Sequence, residues 1–340
     1  MTVRRSVAPG SRISFSVRSA ASAANIDRSP FSRTVPAIRR CVIGLVATAL
    51  ANVALAQDYQ EKPSVAAGPA DVVLGADLVK TGLYVITGGG GNSLLRFSAS
   101  GLILVDGKLP GTYRAQMSQV RKISKLSDLP VRALIVTDHH ESHAGNSAQF
   151  AAAGIPLIAQ ENTKPRLPAG AAAASNTAAG KAPAPTVAYE RDYKLRMGGV
   201  EVQLLHFGNA CTDGDTVVYF PDLKVVAVGD LFTVDAPEPD YSAGGSLTGW
   251  GRVIAQILKL DFDVVVPGKG LMVTRPQFEA FKAKMDILVS RATSLVRKGI
   301  AKDQLMIQLK TDDLGWRFDF TSEQVDRFYA ELSLPGRVTR

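Results

Sequence analysis

Apolar positions recur along the chain with two different periods. Short runs rich in Leu, Ile, Val and Phe predict strands at Leu83–Thr87, Ser93–Phe97 and Leu102–Val105, separated by glycine-rich turns. Ala133–Val136 is apolar without interruption, as a strand covered on both faces should be, and Pro156–Ala159 predicts another. Val200–Phe207, Thr216–Phe220, Val225–Val228 and Val264–Val266 complete the strand set. Elsewhere the spacing becomes helical. Thr112–Leu126 puts Met117, Val120 and Ile123 on one side, Asn146–Ala153 is a short helix closed by Gly154, and Gly245–Leu260 is a third. Gln277–Lys298 aligns Phe278, Phe281, Met285, Leu288, Ala292 and Leu295 in alternating steps of three and four, then stops at Gly299. Thr321 and Gln324 form a capping box for a last helix. Strand clusters interleaved with helices predict a layered α/β body of one domain.

Two low-complexity segments interrupt this pattern. Gly88–Gly91 lies between strands with no Lys-Ser/Thr and no helix after it, so it predicts a wide turn and not a phosphate loop. Arg166–Pro185, rich in Ala, Gly and Pro, predicts an exposed mobile loop.

Composition is that of a globular protein: 340 residues, 46% hydrophobic and 21% charged, with two cysteines, too few for a disulfide scaffold. The net charge of +8 would indicate a polyanion partner if it were spread over the body. It is not. Residues 1–56 hold eight arginines against one acid, Asp27, so no nucleic-acid partner is implied for the rest. Arg39-Arg40, the apolar run Cys41–Ala51 and Ala54-Leu55-Ala56 read in the order of a secretory signal. The expectation is cleavage near Ala56/Gln57, no stable membrane anchor afterwards, and a periplasmic or secreted protein. Residues 57–340 then form the mature domain, with a core at about 70–275 and a helical segment at about 276–340. Cys211 would be its only thiol.

Candidate chemistry is concentrated in one place. Three of the four histidines fall within Thr137-Asp138-His139-His140-Glu141-Ser142-His143-Ala144-Gly145-Asn146, after a buried strand and before a helix. Imidazoles and carboxylates packed into one turn converge on a small volume, as a metal requires. The segment resembles the Thr-His-x-His-x-Asp-His-x-Gly-Asn motif of the metallo-β-lactamase superfamily. Leu104-Val105-Asp106-Gly107, Gly208–Asp215, Val228-Gly229-Asp230-Leu231 and Val266-Pro267-Gly268-Lys269-Gly270 resemble four further turns of that family, in order. The resemblance implies a four-layer αββα sandwich with metals held by loops at one edge of two sheets. It also implies a small-molecule substrate.

The departures are informative. Carried over position by position, one metal site becomes Asp138, His140 and Cys211, and the other becomes Ser142, His143 and Lys269, with Asp230 bridging. His139 and Glu141 fall on spacer positions, and His206 precedes its turn. The first set keeps three legitimate zinc ligands. The second does not, because serine is a poor ligand and a lysine ammonium sits where an ion would be. This implies a mononuclear, zinc-dependent exported hydrolase of an ester, amide, lactam or thioester. Another divalent ion is the alternative metal, and Lys269 and Asp230 serve the chemistry. The alternative is a non-catalytic member that reuses the scaffold for binding and holds no metal.

Overall fold

Strand pairing follows from which residues can bury both faces. The computed structural model describes residues 72–125, 129–168 and 186–333, and all structural statements concern these. The chain divides into units at Pro63/Ser64, and the described residues belong to the second. The signal segment and most of the Arg166–Pro185 loop lie outside the described residues.

Strands β1 (Gly75–Lys80), β2 (Leu83–Thr87), β3 (Ser93–Ser98), β4 (Gly101–Val105), β5 (Val131–Ile135), β6 (Leu157–Gln160) and β7 (Thr186–Tyr189) form a seven-stranded sheet in chain order. The first four run antiparallel, and β4 to β7 are parallel. Parallel neighbours need long crossovers. Helix α1 (Tyr113–Ile123) fills the first, and α2 (Glu141–Ala144) with α3 (Ser147–Ala152) fills the second. A six-stranded sheet has the order β13-β12-β11-β10-β9-β8, from β8 (Asp192–Met197), β9 (Val200–Leu205), β10 (Val217–Phe220), β11 (Val225–Gly229), β12 (Val264–Pro267) and β13 (Val273–Thr274). Its single parallel pair is β11–β12, bridged through α4 (Leu247–Ile257). Helices α5 (Arg275–Arg297), α6 (Leu305–Gln308) and α7 (Ser322–Ser333) follow.

Three apolar clusters define the layers. Ile103, Val105, Ala133 and Ile135 of the first sheet meet Val218, Phe220, Val225 and Ala227 of the second. The alternate residues Leu102, Leu104, Leu134 and Val136 face α1 and α3 through Val120 and Phe150. Val226, Val228 and Val265 face Trp250, Ile254, Phe278 and Met285. Both faces of these strands are covered, which explains their unbroken apolar runs. The arrangement is the expected αββα sandwich. Helix α5 buries Phe278, Phe281, Met285, Leu288 and Ala292 of the six residues its spacing aligned, and the sixth, Leu295, is half-buried against the same cluster. The last helix opens with Thr321 N–H donating to Gln324 Oε1 at 2.8 Å, as the capping box requires.

The turns at the carboxyl ends of β4, β5, β11 and β12 share one edge, where open α/β sheets form clefts. Backbone and buried side chains fasten them. Thr216 N–H donates to the Thr137 carbonyl at 2.7 Å, linking the two sheets. The Asn92 amide donates to the carbonyls of Pro267 and Gly270 at 2.8 and 2.9 Å. The wide turn at Gly88–Gly91 has positive φ at Gly88, Gly89 and Gly90, and it is closed by a lysine. Lys108 has no exposed surface, and its Nζ donates to the carbonyls of Ile86, Gly88 and Gly91 at 2.9, 2.8 and 2.5 Å. Three N–H groups meet three acceptors. Burial pulls this amine down to about 7, and the nearby Asp106 charge opposes that pull.

Candidate metal centre

Asp106 follows β4 with φ of 64°, a left-handed conformation open to aspartate, and sits 3% exposed beneath the His turn. Its carboxylate accepts from Thr137 N–H at 2.8 Å and from the Thr137 hydroxyl at 2.9 Å. It also lies 2.8 Å from His143 Nδ1, which therefore carries the proton and turns Nε2 inward. Helix α2 presents His143, fully buried, with its Nε2 3.1 Å from Asp230 Oδ1 and 3.8 Å from Asp138 Oδ2.

Asp138 bonds back to its own turn: Oδ1 accepts from His140 N–H at 2.8 Å, the local closure short carboxylates favour. His140 Nδ1 is 3.2 Å from Asp138 Oδ1 and 3.7 Å from Asp230 Oδ2. Cys211, 4% exposed, comes from the β9–β10 turn, where Asp215 accepts from Thr212 N–H and its hydroxyl. Lys269 Nζ lies 3.5 Å from each Asp230 oxygen.

Two ligand triads meet at Asp230: His140, Cys211 and Asp230, and Asp138, His143 and Asp230. In each, the donor atoms lie within 4.8 Å of one another. The buried nitrogens His140 Nδ1 and His143 Nε2, both facing Asp230, have no hydrogen-bond partner among the described residues. Unpaired buried polar atoms are costly, and an ion between them would satisfy both. The donor set of imidazole, carboxylate and thiolate fits zinc.

The geometry departs from the position-by-position expectation in two ways, at Asp138 and at His139. Asp138 joins His143 and Asp230, not Cys211, because its backbone closure aims Oδ2 toward His143. Lys269 lies beside Asp230, with its Nζ 3.5 Å from each carboxylate oxygen and its side chain 58% exposed. His139, placed on a spacer position by the motif, faces Asp240 together with His140. Ser142 is buried on α2 beside His143, and Glu141 is exposed at its start. His206 Nδ1 is occupied by the Asp215 carbonyl at 2.9 Å.

Carboxylates outnumber cations here, and the titrating groups respond. The Asp138 carboxylate, 3.2 Å from Nδ1, raises His140 to about 9. Burial pulls His143 down, but Asp138, Asp106 and Asp230 outweigh it and hold the ring well above its usual value. Burial, reinforced by Asp215 and Asp230, pushes the Cys211 thiol up. Burial pushes Asp215 up to about 8. It acts in the same direction on Asp230, yet His143, Lys269 and His140 hold that carboxyl well below the usual range.

Gly268 fits between these groups only because it lacks a side chain. An added Cβ would lie 2.5 Å from His143 Cε1, 2.9 Å from the Gly229 carbonyl carbon and 3.0 Å from Asp230 Oδ1. Gly268→Ala should therefore separate His143 from Asp230. We expect metal affinity to fall at least tenfold and stability by about 1–3 kcal/mol, measured by metal titration and thermal unfolding.

The sequence pattern of the Metallo-beta-lactamase superfamily matches residues 86–269. The chain belongs to this superfamily, and its two sheets with flanking helices are that fold. It is 26% identical over 247 residues to a 2,4-dinitroanisole O-demethylase subunit alpha from a Nocardioides sp., covering 72% of this chain and 70% of that one. Among solved structures it resembles a stereoselective inverting sec-alkylsulfatase from a Pseudomonas sp., with a TM-score of 0.59 and 18% identity, covering 77% of this chain and 50% of that one. It also resembles a metallo-beta-lactamase from Pseudomonas aeruginosa in a mono-zinc form, with a TM-score of 0.52 and 19% identity, covering 64% and 96% respectively.

Proposed function

We propose that the protein is a metal-dependent hydrolase of a small molecule, with one ion held around Asp230. The observation that carries this reading is the pair of buried ring nitrogens, His140 Nδ1 and His143 Nε2, left without hydrogen bonds and facing Asp230. Asp138 and Cys211 supply the remaining donors. A bound divalent ion would supply Lewis-acid polarisation of a substrate oxygen and make water a nucleophile near neutral pH.

The chain's own residues account for the rest. Asp106 fixes the His143 tautomer. Asp230 is common to both triads, and the Lys269 ammonium partly balances its charge. The exposed ammonium also favours substrates bearing a carboxylate, sulfate or polarised carbonyl and stabilises negative charge that develops there. Several carboxylates around one ion would weaken its Lewis acidity, and a second ion beside a protonated Lys269 is disfavoured. The names of the relatives span ether, sulfate-ester and lactam chemistry, and the proposal keeps the bond cleaved at an ester, amide, lactam or thioester, whose carbonyl a bound ion would polarise. Export to the periplasm or medium, with cleavage near Ala56, completes the proposal and rests on the N-terminal pattern alone.

The test is zinc content after dialysis at pH 8. We expect the parent to hold one zinc equivalent per chain more than Asp230→Asn, because both triads lose their shared carboxylate in that variant. A parent chain that holds no zinc under these conditions overturns the hydrolase reading in favour of the non-catalytic one.

A further inference from the structure

On the solvent side of His140 a second set of donors converges. His139 Nε2 and His140 Nε2 lie 3.6 and 3.4 Å from Asp240 Oδ2, and the two rings face each other at 4.6 Å between centroids and 32° between planes. The three donor atoms lie within 4.8 Å of one another. These separations exceed those of a charge-assisted hydrogen bond, about 2.7–2.9 Å. They approach the edge of a zinc tetrahedron, about 3.3 Å for ligands about 2.0 Å from the ion. Nδ1 of His139 is buried with no hydrogen-bond partner among the described residues. With Nδ1 unpaired, the polar contact of the ring is the one its Nε2 makes with Asp240.

The backbone fixes Asp240 here independently of any ion. Asp240 N–H donates to the Cys211 carbonyl at 2.8 Å, and Gly245 N–H to the Asp240 carbonyl at 2.7 Å. Its Oδ1 accepts from Ser242 N–H and Ala243 N–H at 3.0 and 3.1 Å, which leaves Oδ2 for the imidazoles. The side chains of His139, His140 and Asp240 are 17%, 30% and 25% exposed, so an ion can reach them from solvent.

We infer that His139, His140 and Asp240 form an outer binding site for a first-row divalent ion. Two imidazoles and one carboxylate suit zinc or cobalt and leave a position open to solvent or to a substrate oxygen. A neutral imidazole donates through one nitrogen only. An outer ion thus takes Nε2 of His140, while Asp138, His143 and Asp230 keep a complete inner triad. The two sites compete for the His140 ring through different nitrogens, and while the outer ion holds Nε2 the inner ion relies on Asp138, His143 and Asp230.

Cobalt(II) added to the zinc-free full-length chain at pH 8, followed by visible absorption, tests this. Asp230→Asn empties the inner triads and should still bind one Co²⁺. Adding Asp240→Asn, which keeps the Oδ1 acceptor for Ser242 and Ala243, should weaken that binding at least tenfold, as should His139→Gln. Circular dichroism controls for folding. The inference is overturned if Asp230→Asn binds no Co²⁺, or if neither outer substitution changes its affinity. It does not depend on the inner ion: a parent chain whose metal is insensitive to Asp230→Asn but lost with Asp240→Asn would refute the hydrolase reading and keep this one.

Discussion

Zinc affinity should rise at least a hundredfold between pH 6 and pH 8. A ligand must shed its proton before it binds. In the metal-free chain His140 is raised to about 9, and His143 and Cys211 are raised above their usual values, so all three hold protons through this window. The sign follows directly. Below the pKa of a ligand, each displaced proton adds one log unit of affinity per unit of pH, so one proton gives a factor of about 100 over two units. Two protons would give about 10,000. Calorimetric titration of the chelator-treated chain with Zn²⁺, in two buffers of different ionisation heat, counts the released protons. A flat affinity with no proton release would show that these groups do not ligate.

Asp106→Ala should cost about 3–5 kcal/mol, the usual result of breaking one side of a buried charged network. Thr137 loses the acceptor for its N–H and hydroxyl, and His143 loses the acceptor for Nδ1. Asp106→Asn separates stability from ligation. The asparagine oxygen can still accept from Thr137, which leaves its amide N–H facing His143 Nδ1. The ring must then carry its proton on Nε2, where it would block the metal. We expect most of the stability to return but metal affinity to stay at least tenfold low. Urea unfolding and zinc titration measure the two separately. An Asp106→Asn chain that binds zinc like the parent would show that Asp106 does not set the tautomer.

The strands legible in the sequence and those that were not differ by a physical criterion. The nine predicted strands are interior members of their sheets, and most are apolar because both faces are covered; β9 instead alternates, with Val202 and Leu204 buried and Glu201 and Gln203 half-buried. The four not predicted, β1, β7, β8 and β13, are the four sheet edges. β8, Asp192–Met197, alternates exposed charged positions with half-buried ones, as an edge must to discourage further pairing. The site shows the same division. Asp138, His140, His143, Cys211 and Asp230 lie in turns whose order along the chain carries the family pattern. Asp240 lies in a loop without such a pattern and is held beside His139 by backbone bonds to Cys211 and Gly245. Motif spacing assigns His139 no role, because spacing records which residues share a turn and not which way a neighbouring loop folds over them.

The lysine that closes the glycine turn has a consequence for how the site tolerates change. Lys108, Asn92 and Asn146 fasten the turns through backbone carbonyls, and none of them is a candidate ligand. The donors are therefore preorganised by residues that need no ion, unlike those of a zinc finger, which folds around its metal. Evolution can exchange a histidine for an aspartate at 138 or for a cysteine at 211 without having to rebuild the scaffold, because fold integrity and ligand identity are encoded by different side chains. Chelation should accordingly leave a folded protein ready to take up a different ion.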